Sequence, residues 1–428
     1  MTHRKIVAGI DVGTTKVCTI VAEVSNNQVT DIVGVGTSPS TGLKKGMVVD
    51  IDDTVNSIEQ AVVKAERIAG VELDSVFVGI AGSHISSTNR HGVVAVTGEN
   101  KEITMEDIDR VIEATKIISI PPDRQIIHVI PREFIVDGCE DIKYPLGMSG
   151  VRLEAEAHIV TGSVTSIQNL AKSVKKVGID VEGLVLQPLA ASKAVLSESE
   201  KDLGVLLVDM GGGTTDIAIF KGGSIWYTSI LPVGGDHVTN DIAVGMRTPI
   251  STAEKIKIKH GCAKASLINE NEKIEVLDTS GEQKRTISRK MLGNIIEPRV
   301  DEIFSLVRQE IEDAGYKGMV PAGAVVTGGG SLLEGLSDLA AEKLDMPVRV
   351  GAPDNIDSLM EYIDDSIYKI NDNYSEFSEE TGAIFSTGVG LVYYGAEAMT
   401  EDSALGKSEE QIVDDLFNKI KDWFKNIF

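Results

Sequence analysis

The sequence predicts a duplicated α/β fold in which two lobes face each other across a cleft. Three observations carry that prediction. Ile6–Ile10 reads as a buried apolar strand, Asp11-Val12-Gly13-Thr14-Thr15-Lys16 as a turn, and Val17–Val24 as a returning strand. The pattern recurs downstream, where Val205–Val208 is apolar, Asp209-Met210-Gly211-Gly212-Gly213-Thr214-Thr215 turns, and Asp216–Phe220 returns. Finally, 428 residues suit two lobes of about 150–200 residues better than one domain.

The elements between these hairpins follow in order. Thr54 to Ala69 places Val55, Ile58, Val62, Ala65 and Ile68 on one stripe, which predicts a helix over the first sheet. An insert of mixed strand and helix character runs from Ser86 to Ile159, with Thr104–Ile118 amphipathic. A second excursion, Gly235 to Val300, precedes a strand at Ala322–Thr327. Asp354–Glu380 carries nine acidic residues against one lysine and reads as a solvated surface loop, because such repulsion resists burial.

Composition narrows the function. A net charge of −24 opposes nucleic-acid binding, since phosphates are repelled instead of neutralised. The three cysteines, Cys18, Cys139 and Cys262, lie far apart without CxxC spacing, which excludes a disulfide scaffold or a cysteine zinc cluster and suits a reducing cytoplasm. The apolar run near the start is too short for a signal peptide, and no run of about 18 uncharged apolar residues predicts a membrane span.

The turns point to phosphate chemistry. Glycines at Gly13, Gly211, Gly212 and Gly213 let backbone N–H groups approach phosphate oxygens, and Thr14, Thr15, Thr214 and Thr215 add hydroxyl donors. Asp11 and Asp209, each at a strand end, suit a Mg²⁺ held through its waters, and Lys16 adds a point charge. One D-x-G-x-T turn is a common hairpin; two, each framed by apolar strands, are not. A third element, Val325–Thr327 running into Gly328-Gly329-Gly330-Ser331 with a helix expected from Leu332, allows close approach to a base and ribose. A fourth is a helix expected to be capped by Ser251, on which Glu254 and Lys257 share a face. Alone they read as a surface ion pair; beside the other motifs they suit hydrogen bonding to adenosine.

In this combination the sequence resembles the superfamily of actin, DnaK-type chaperones and sugar kinases. Asp11–Lys16 is similar to its first phosphate motif, Asp209–Thr215 to its second, and Gly328–Ser331 to its adenosine motif. Leu186–Ala191 resembles its first connecting segment, which puts Gln187 where relatives keep a water-positioning Glu or Gln. The resemblance implies an actin-like, ribonuclease H-like duplicated fold that binds ATP with Mg²⁺.

The last segment has separate physics. Glu401 to Gln411 is polar and reads as a linker, and Ser408 with Gln411 forms a capping box. At 100° per residue, Ile412, Val413, Leu416, Phe417, Ile420, Trp423, Phe424, Ile427 and Phe428 fall within an arc of about 160°, opposite a polar face. The segment spans ~25 Å at about 1.5 Å per residue. It can dock on the body of the protein or lie in a membrane interface. Four of the chain's 19 aromatics within its last twelve residues favour the membrane.

Motifs outside the nucleotide turns resemble one family, the bacterial cell-division FtsA proteins. They are Gly79–Ser86, His128–Glu133, Pro145–Arg152, Ile258–Ala263 and Ile296–Arg299. The resemblance runs from about Arg4 to Gly395 and resumes in the final 17 residues. It implies a first-lobe core of residues 1–85, 160–197 and 381–398, with a family-specific subdomain at 86–159. It implies a second-lobe core of 198–234 and 301–380, an upper subdomain at 235–300, a linker at 399–411 and a membrane-binding helix at 412–428. It further implies actin-like filaments, binding of the FtsZ C-terminal peptide by the upper subdomain, contact with later division proteins such as FtsN, and residence at the cytoplasmic face of the membrane at the septum. Lys284, Arg285, Arg289, Lys290 and Arg299 form a basic island there, readable as a solvated face or as a docking site in which Arg285, Arg289 and Arg299 meet the peptide. A small-molecule kinase is disfavoured, since no sugar-binding polar cluster stands in the insert. A chaperone lacks room for a peptide domain after the second lobe, and the FtsA-like proteins of pilus assembly lack the amphipathic helix.

Overall fold

A computed structural model of the chain describes residues 5–25, 28–117, 120–277, 284–354 and 379–402. Within them the opening apolar run forms the strand Lys5–Val12, antiparallel to Lys16–Ser25 with Asp11 opposite Cys18. Val205–Met210 pairs in the same way with Thr215–Lys221, Asp209 opposite Asp216. Both turns close on the same bond: Gly13 N–H donates to the Lys16 carbonyl at 3.0 Å, and Gly211 N–H to the Thr214 carbonyl at 3.0 Å.

Each hairpin is extended identically. A third antiparallel strand, Gln28–Pro39 or Ser224–Leu231, lies outside the returning strand. Two parallel strands lie on the other side, Ser75–Ile80 then Asp180–Leu186 in one sheet and Ala324–Thr327 then Val348–Val350 in the other. The two five-stranded sheets thus share one strand order, and the duplication read from two turns extends to the whole sheets.

Helices cover both faces, which is why the opening strands read as continuous apolar runs. Helix Ile51–Ala69 starts where Asp50 accepts from Asp53 N–H at 3.0 Å and ends at Gly70 in the left-handed region, burying Ile58, Ala61, Val62 and Ala65. Helix Arg289–Asp313 buries Leu292, Ile296, Val300, Phe304, Val307 and Ile311 against the second sheet. It runs through the boundary expected at 300/301, as strand Arg152–Ser163 runs through that expected at 159/160.

The insert is a four-stranded antiparallel sheet, ordered Ser86–Ala95, Arg152–Ser163, Arg124–Val136 and Cys139–Ile142. Its helix spans Met105–Thr115, shorter than expected, with Thr104 and Asp107 capping each other. The insert also touches the second lobe. The Arg132 guanidinium stacks 3.8 Å from the Trp226 ring centroid, and Ser87 Oγ donates to the Thr228 carbonyl at 2.9 Å.

Two helices cross between the lobes, Gln187–Val195 and Ser386–Asp402. They meet at Gly390, where a Cβ would lie 1.8 Å from the Ala190 carbonyl oxygen, so only glycine permits the approach. One apolar cluster joins Val7 and Ile20 of the first sheet, Ala190, Val389 and Val392 of these helices, and Leu207 and Ala218 of the second sheet. The predicted amphipathic segment Ile412–Phe428 and nearly all of the acidic stretch Asp354–Glu380 lie outside the described residues.

Candidate functional site

The two glycine turns oppose each other across the interlobe cleft. Thr15 Oγ1 donates to Asp236 Oδ1 of the second lobe at 3.4 Å. A Cβ on Gly212 would overlap Thr15 Oγ1 at 1.8 Å, and one on Gly213 would meet Thr14 Oγ1 at 2.7 Å, so a side chain at either position would have to displace the opposite turn's threonine. Behind the second turn, Gly235 and Asp236 N–H groups donate to the Gly211 and Gly212 carbonyls at 2.9 Å each, fixing its shape. Thr215 is turned inward and its hydroxyl is spent on the Val233 carbonyl at 2.8 Å.

Three carboxyls lie at the base of the cleft. Asp11 accepts from Gln187 Nε2 at 2.8 Å, and Asp209 accepts from Thr387 Oγ1 at 3.2 Å. Burial pushes both up to about 6; Lys16 opposes the shift in each, and Asp209 adds to it in Asp11. Asp216 is also pushed up by burial and by the neighbouring acids, and its buried Oδ1 has no hydrogen-bond partner. Sequence reasoning passed over Asp216. Its signal was register: directly opposite Asp209 across the hairpin, it shares that residue's face.

Lys16 donates to the Ile384 carbonyl at 2.5 Å and stands 4.4 Å from the Phe385 ring centroid. The same 383–387 segment engages the triple-glycine turn: Gly328 N–H donates to the Ala383 carbonyl at 3.3 Å, and Thr327 and Ser386 hydroxyls meet at 2.7 Å. Gly328 has φ +81°, and a Cβ there would lie 2.2 Å from Asp209 Oδ1, so no other residue fits. Ser331 Oγ bonds back to the Gly328 carbonyl at 2.7 Å, and Gly329–Leu332 is a 3-10 turn. The α-helix starts at Leu336 instead of near Leu332, because Gly335 introduces a left-handed break.

Glu254 and Lys257 share a face of helix Ile250–His260 and pair at 2.7 Å, with Lys257 also donating to Thr239 Oγ1 at 2.9 Å and the Gly235 carbonyl at 3.2 Å. Gly235 ties them to the second glycine turn. Ser251 does not cap this helix: the chain enters it through Pro249, whose carbonyl accepts from Ala253 N–H at 2.9 Å.

The cleft thus brings together Asp11, Thr14, Thr15, Lys16, Gln187, Asp209, Gly211–Gly213 and Gly328–Ser331, with Glu254 and Lys257 adjoining. The basic island lies apart from it. Lys284 pairs with Glu275, Lys290 with Glu270, Arg289 with Glu272 and Glu334, and Arg299 with Asp241 and Glu302. Arg285 is exposed on the strand Lys284–Ser288.

Among the described residues, no three His, Cys, Asp or Glu side chains converge to chelate a bare metal ion. Two buried carboxylates between glycine turns suit a hydrated Mg²⁺ shared with phosphates, which takes few protein ligands. Among the described residues, no helix is long and apolar enough to cross a membrane.

Comparison with known proteins follows the two structural parts. A family model described as "Cell division protein FtsA" matches residues 206–370, and one described as "SHS2 domain inserted in FTSA" matches residues 82–161. The chain is 42% identical to the cell division protein FtsA of Pseudomonas aeruginosa over 99% of its own length and 98% of that protein. It is 37% identical to that of Escherichia coli over 100% and 99%, and 43% identical to that of Bacillus subtilis over 83% and 80%. Among solved structures, a chain of the PilM–PilN type IV pilus biogenesis complex superposes with TM-score 0.64 at 17% identity, covering 92% of this chain and 99% of that one. MreB5 of Spiroplasma citri superposes with TM-score 0.54 at 14% identity, covering 93% and 98%. These likenesses establish the actin-like fold. The identity across nearly the full length and the matched inserted domain place the chain in the FtsA family of cell division proteins.

Proposed function

We propose that the cleft binds ATP with Mg²⁺, and that the protein polymerises and tethers FtsZ filaments to the cytoplasmic face of the cell membrane during septum formation. The observation that carries the nucleotide reading is the pair of matched glycine turns, each beside a buried carboxyl, opposed across one cleft. Mg²⁺ would neutralise phosphate charge there. Asp11 and Asp209 would hold its water shell, and Thr14, Thr15 and the Gly211–Gly213 backbone would hold phosphate oxygens. Gln187, which donates to Asp11, would orient a water, and slow hydrolysis would be the most chemistry asked of the site. Glu254, Lys257 and the Gly328–Ser331 turn would hold the adenosine.

Membership of a cell-division family supports the FtsZ partnership, contact with later division proteins such as FtsN, and self-association into filaments. The apolar arc Ile412–Phe428 supports reversible attachment to lipid, strengthened when many copies act together. Nucleic acid has no place among the partners, given the net charge of −24.

The test is a flotation assay with liposomes, FtsZ and the full chain, with and without Mg·ATP. FtsZ rising with the liposomes only when this protein is present supports the tether. FtsZ left in solution while this protein floats overturns it. A calorimetric titration showing no Mg·ATP binding overturns the nucleotide reading.

A further inference from the structure

Arg289 opens the long helix of the second lobe and lies outside the cleft, yet two of its three guanidinium bonds go to elements that border the proposed adenosine side. Nε donates to the carbonyl of His260 at 3.0 Å, Nη1 to Glu272 at 2.8 Å, and Nη2 to Glu334. His260 is the last residue of the helix that carries Glu254 and Lys257. Glu334 follows the triple-glycine turn and its 3-10 extension, Gly329–Leu332. The two segments already run side by side, with Ala263 N–H donating to the Glu334 carbonyl at 2.7 Å and a Cβ on Gly261 only 2.8 Å from Leu333. The Arg289 side chain is 17% exposed, so it is largely enclosed between them while its carboxylate partners reach in from the surface.

We infer that Arg289 is a positioning residue, which fixes the helix bearing Glu254 and Lys257 against the segment leaving the Gly328–Ser331 turn. A planar guanidinium serves three acceptors in one rigid fork, which an ammonium on a flexible stem cannot match. Its guanidinium bonds all go to this frame, whereas Arg285 of the same basic island is exposed on its strand. The assignment rests on the nucleotide reading of the cleft for its ligand, but its geometry can be tested without any ligand.

The first experiment is hydrogen–deuterium exchange on the nucleotide-free chain. Arg289→Gln should raise exchange together in 256–263 and 329–336, leaving the hairpin at 205–221 unchanged. Glu334→Gln, which keeps the shape and removes one charge-assisted bond, should do the same more weakly. Unchanged exchange in both segments overturns the assignment. A rise spread across the whole second lobe also overturns it, since Arg289 would then support general stability.

The second experiment separates adenosine from phosphate. Arg289→Gln should weaken Mg·ATP about tenfold, the loss expected for a charge-assisted bond, while magnesium tripolyphosphate binds within about twofold of wild type. Equal losses for both ligands overturn the positioning role. Failure of the wild type to bind Mg·ATP removes the nucleotide reading instead, and the exchange result still decides whether Arg289 holds the two segments together.

Discussion

Gln187 donates its side-chain amide to Asp11 at 2.8 Å. Thr387 does the equivalent for Asp209 at 3.2 Å, from the other crossing helix. Asp11 and Asp209, unlike Asp216, are therefore each held by the first turn of one of the two helices that meet at Ala190 and Gly390. The two acids proposed to face a hydrated cation are thereby tied to the crossing helices that pack between the two sheets.

Burial raises both carboxyls to about 6, which sets a pH dependence. Mg·ATP affinity should fall as pH drops through 6, because a protonated carboxyl does not hold a hydrated cation. For stability the sign is reversed. The folded nucleotide-free chain binds protons between about 4 and 6 that the unfolded chain releases, so these groups stabilise it as pH falls across that window. Asp209→Asn should therefore raise the Tm of the nucleotide-free protein at pH 7.5 while weakening Mg·ATP more than tenfold. Unchanged Mg·ATP affinity in the calorimeter would remove Asp209 from the site.

Much of this arrangement was legible in the sequence because it is local. A strand, a glycine turn and a returning strand occupy one short stretch, and their repetition announces two equivalent sheets. The triple-glycine turn was legible for the same reason. What escaped was non-local. Nothing near Lys16 in sequence says that its ammonium reaches Ile384, and nothing near Asp209 says that Thr387 lies against it. Helix Ser386–Asp402 shows no strong apolar periodicity, because it is enclosed between the lobes, and its glycines Gly388 and Gly390 lower its helix propensity. The basic island was visible as charge, but its ion pairs depend on acids from four other segments.

Gly390 gives a direct test of the crossing. A methyl group there would lie 1.8 Å from the Ala190 carbonyl oxygen, which is backbone and cannot swing aside. Gly390→Ala gains helix propensity of about 1 kcal/mol but must force the two helices apart, an overpacking cost typically about 1–3 kcal/mol and larger against backbone. The denaturation midpoint should fall, and Mg·ATP affinity with it, since Gln187 and Thr387 shift with their helices. A midpoint equal to wild type would mean that the helices do not pack this closely.

Two arginines of the island should respond differently to charge reversal. Arg285 is exposed, whereas Arg299 donates to Asp241 at 2.6 Å and also pairs with Glu302. Arg285→Glu should weaken binding of the FtsZ C-terminal peptide with Tm unchanged. Arg299→Glu should lower both, because it faces two carboxylates with a third. Fluorescence anisotropy with a labelled peptide, read beside thermal melts, separates the two outcomes. Equal peptide affinity in both variants would return the island to a solvated face.

The amphipathic segment makes the last prediction, and it follows from the sequence alone. Trp423 and Phe424 both fall inside the apolar arc, so Trp423→Asp with Phe424→Asp should abolish flotation with liposomes. Burying one large apolar side chain is worth about 1.5–3 kcal/mol, and each new carboxylate adds a desolvation cost. Together these exceed the marginal affinity of one interfacial helix. Asp414, Asp415 and Asp422 balance Lys419, Lys421 and Lys425, so attraction to anionic lipid contributes little and moderate salt should leave wild-type flotation intact. The double variant should keep wild-type Mg·ATP affinity, because the cleft is built from residues far earlier in the chain. If salt released the wild type while the double variant still floated, the attachment would be electrostatic and would lie elsewhere on the protein.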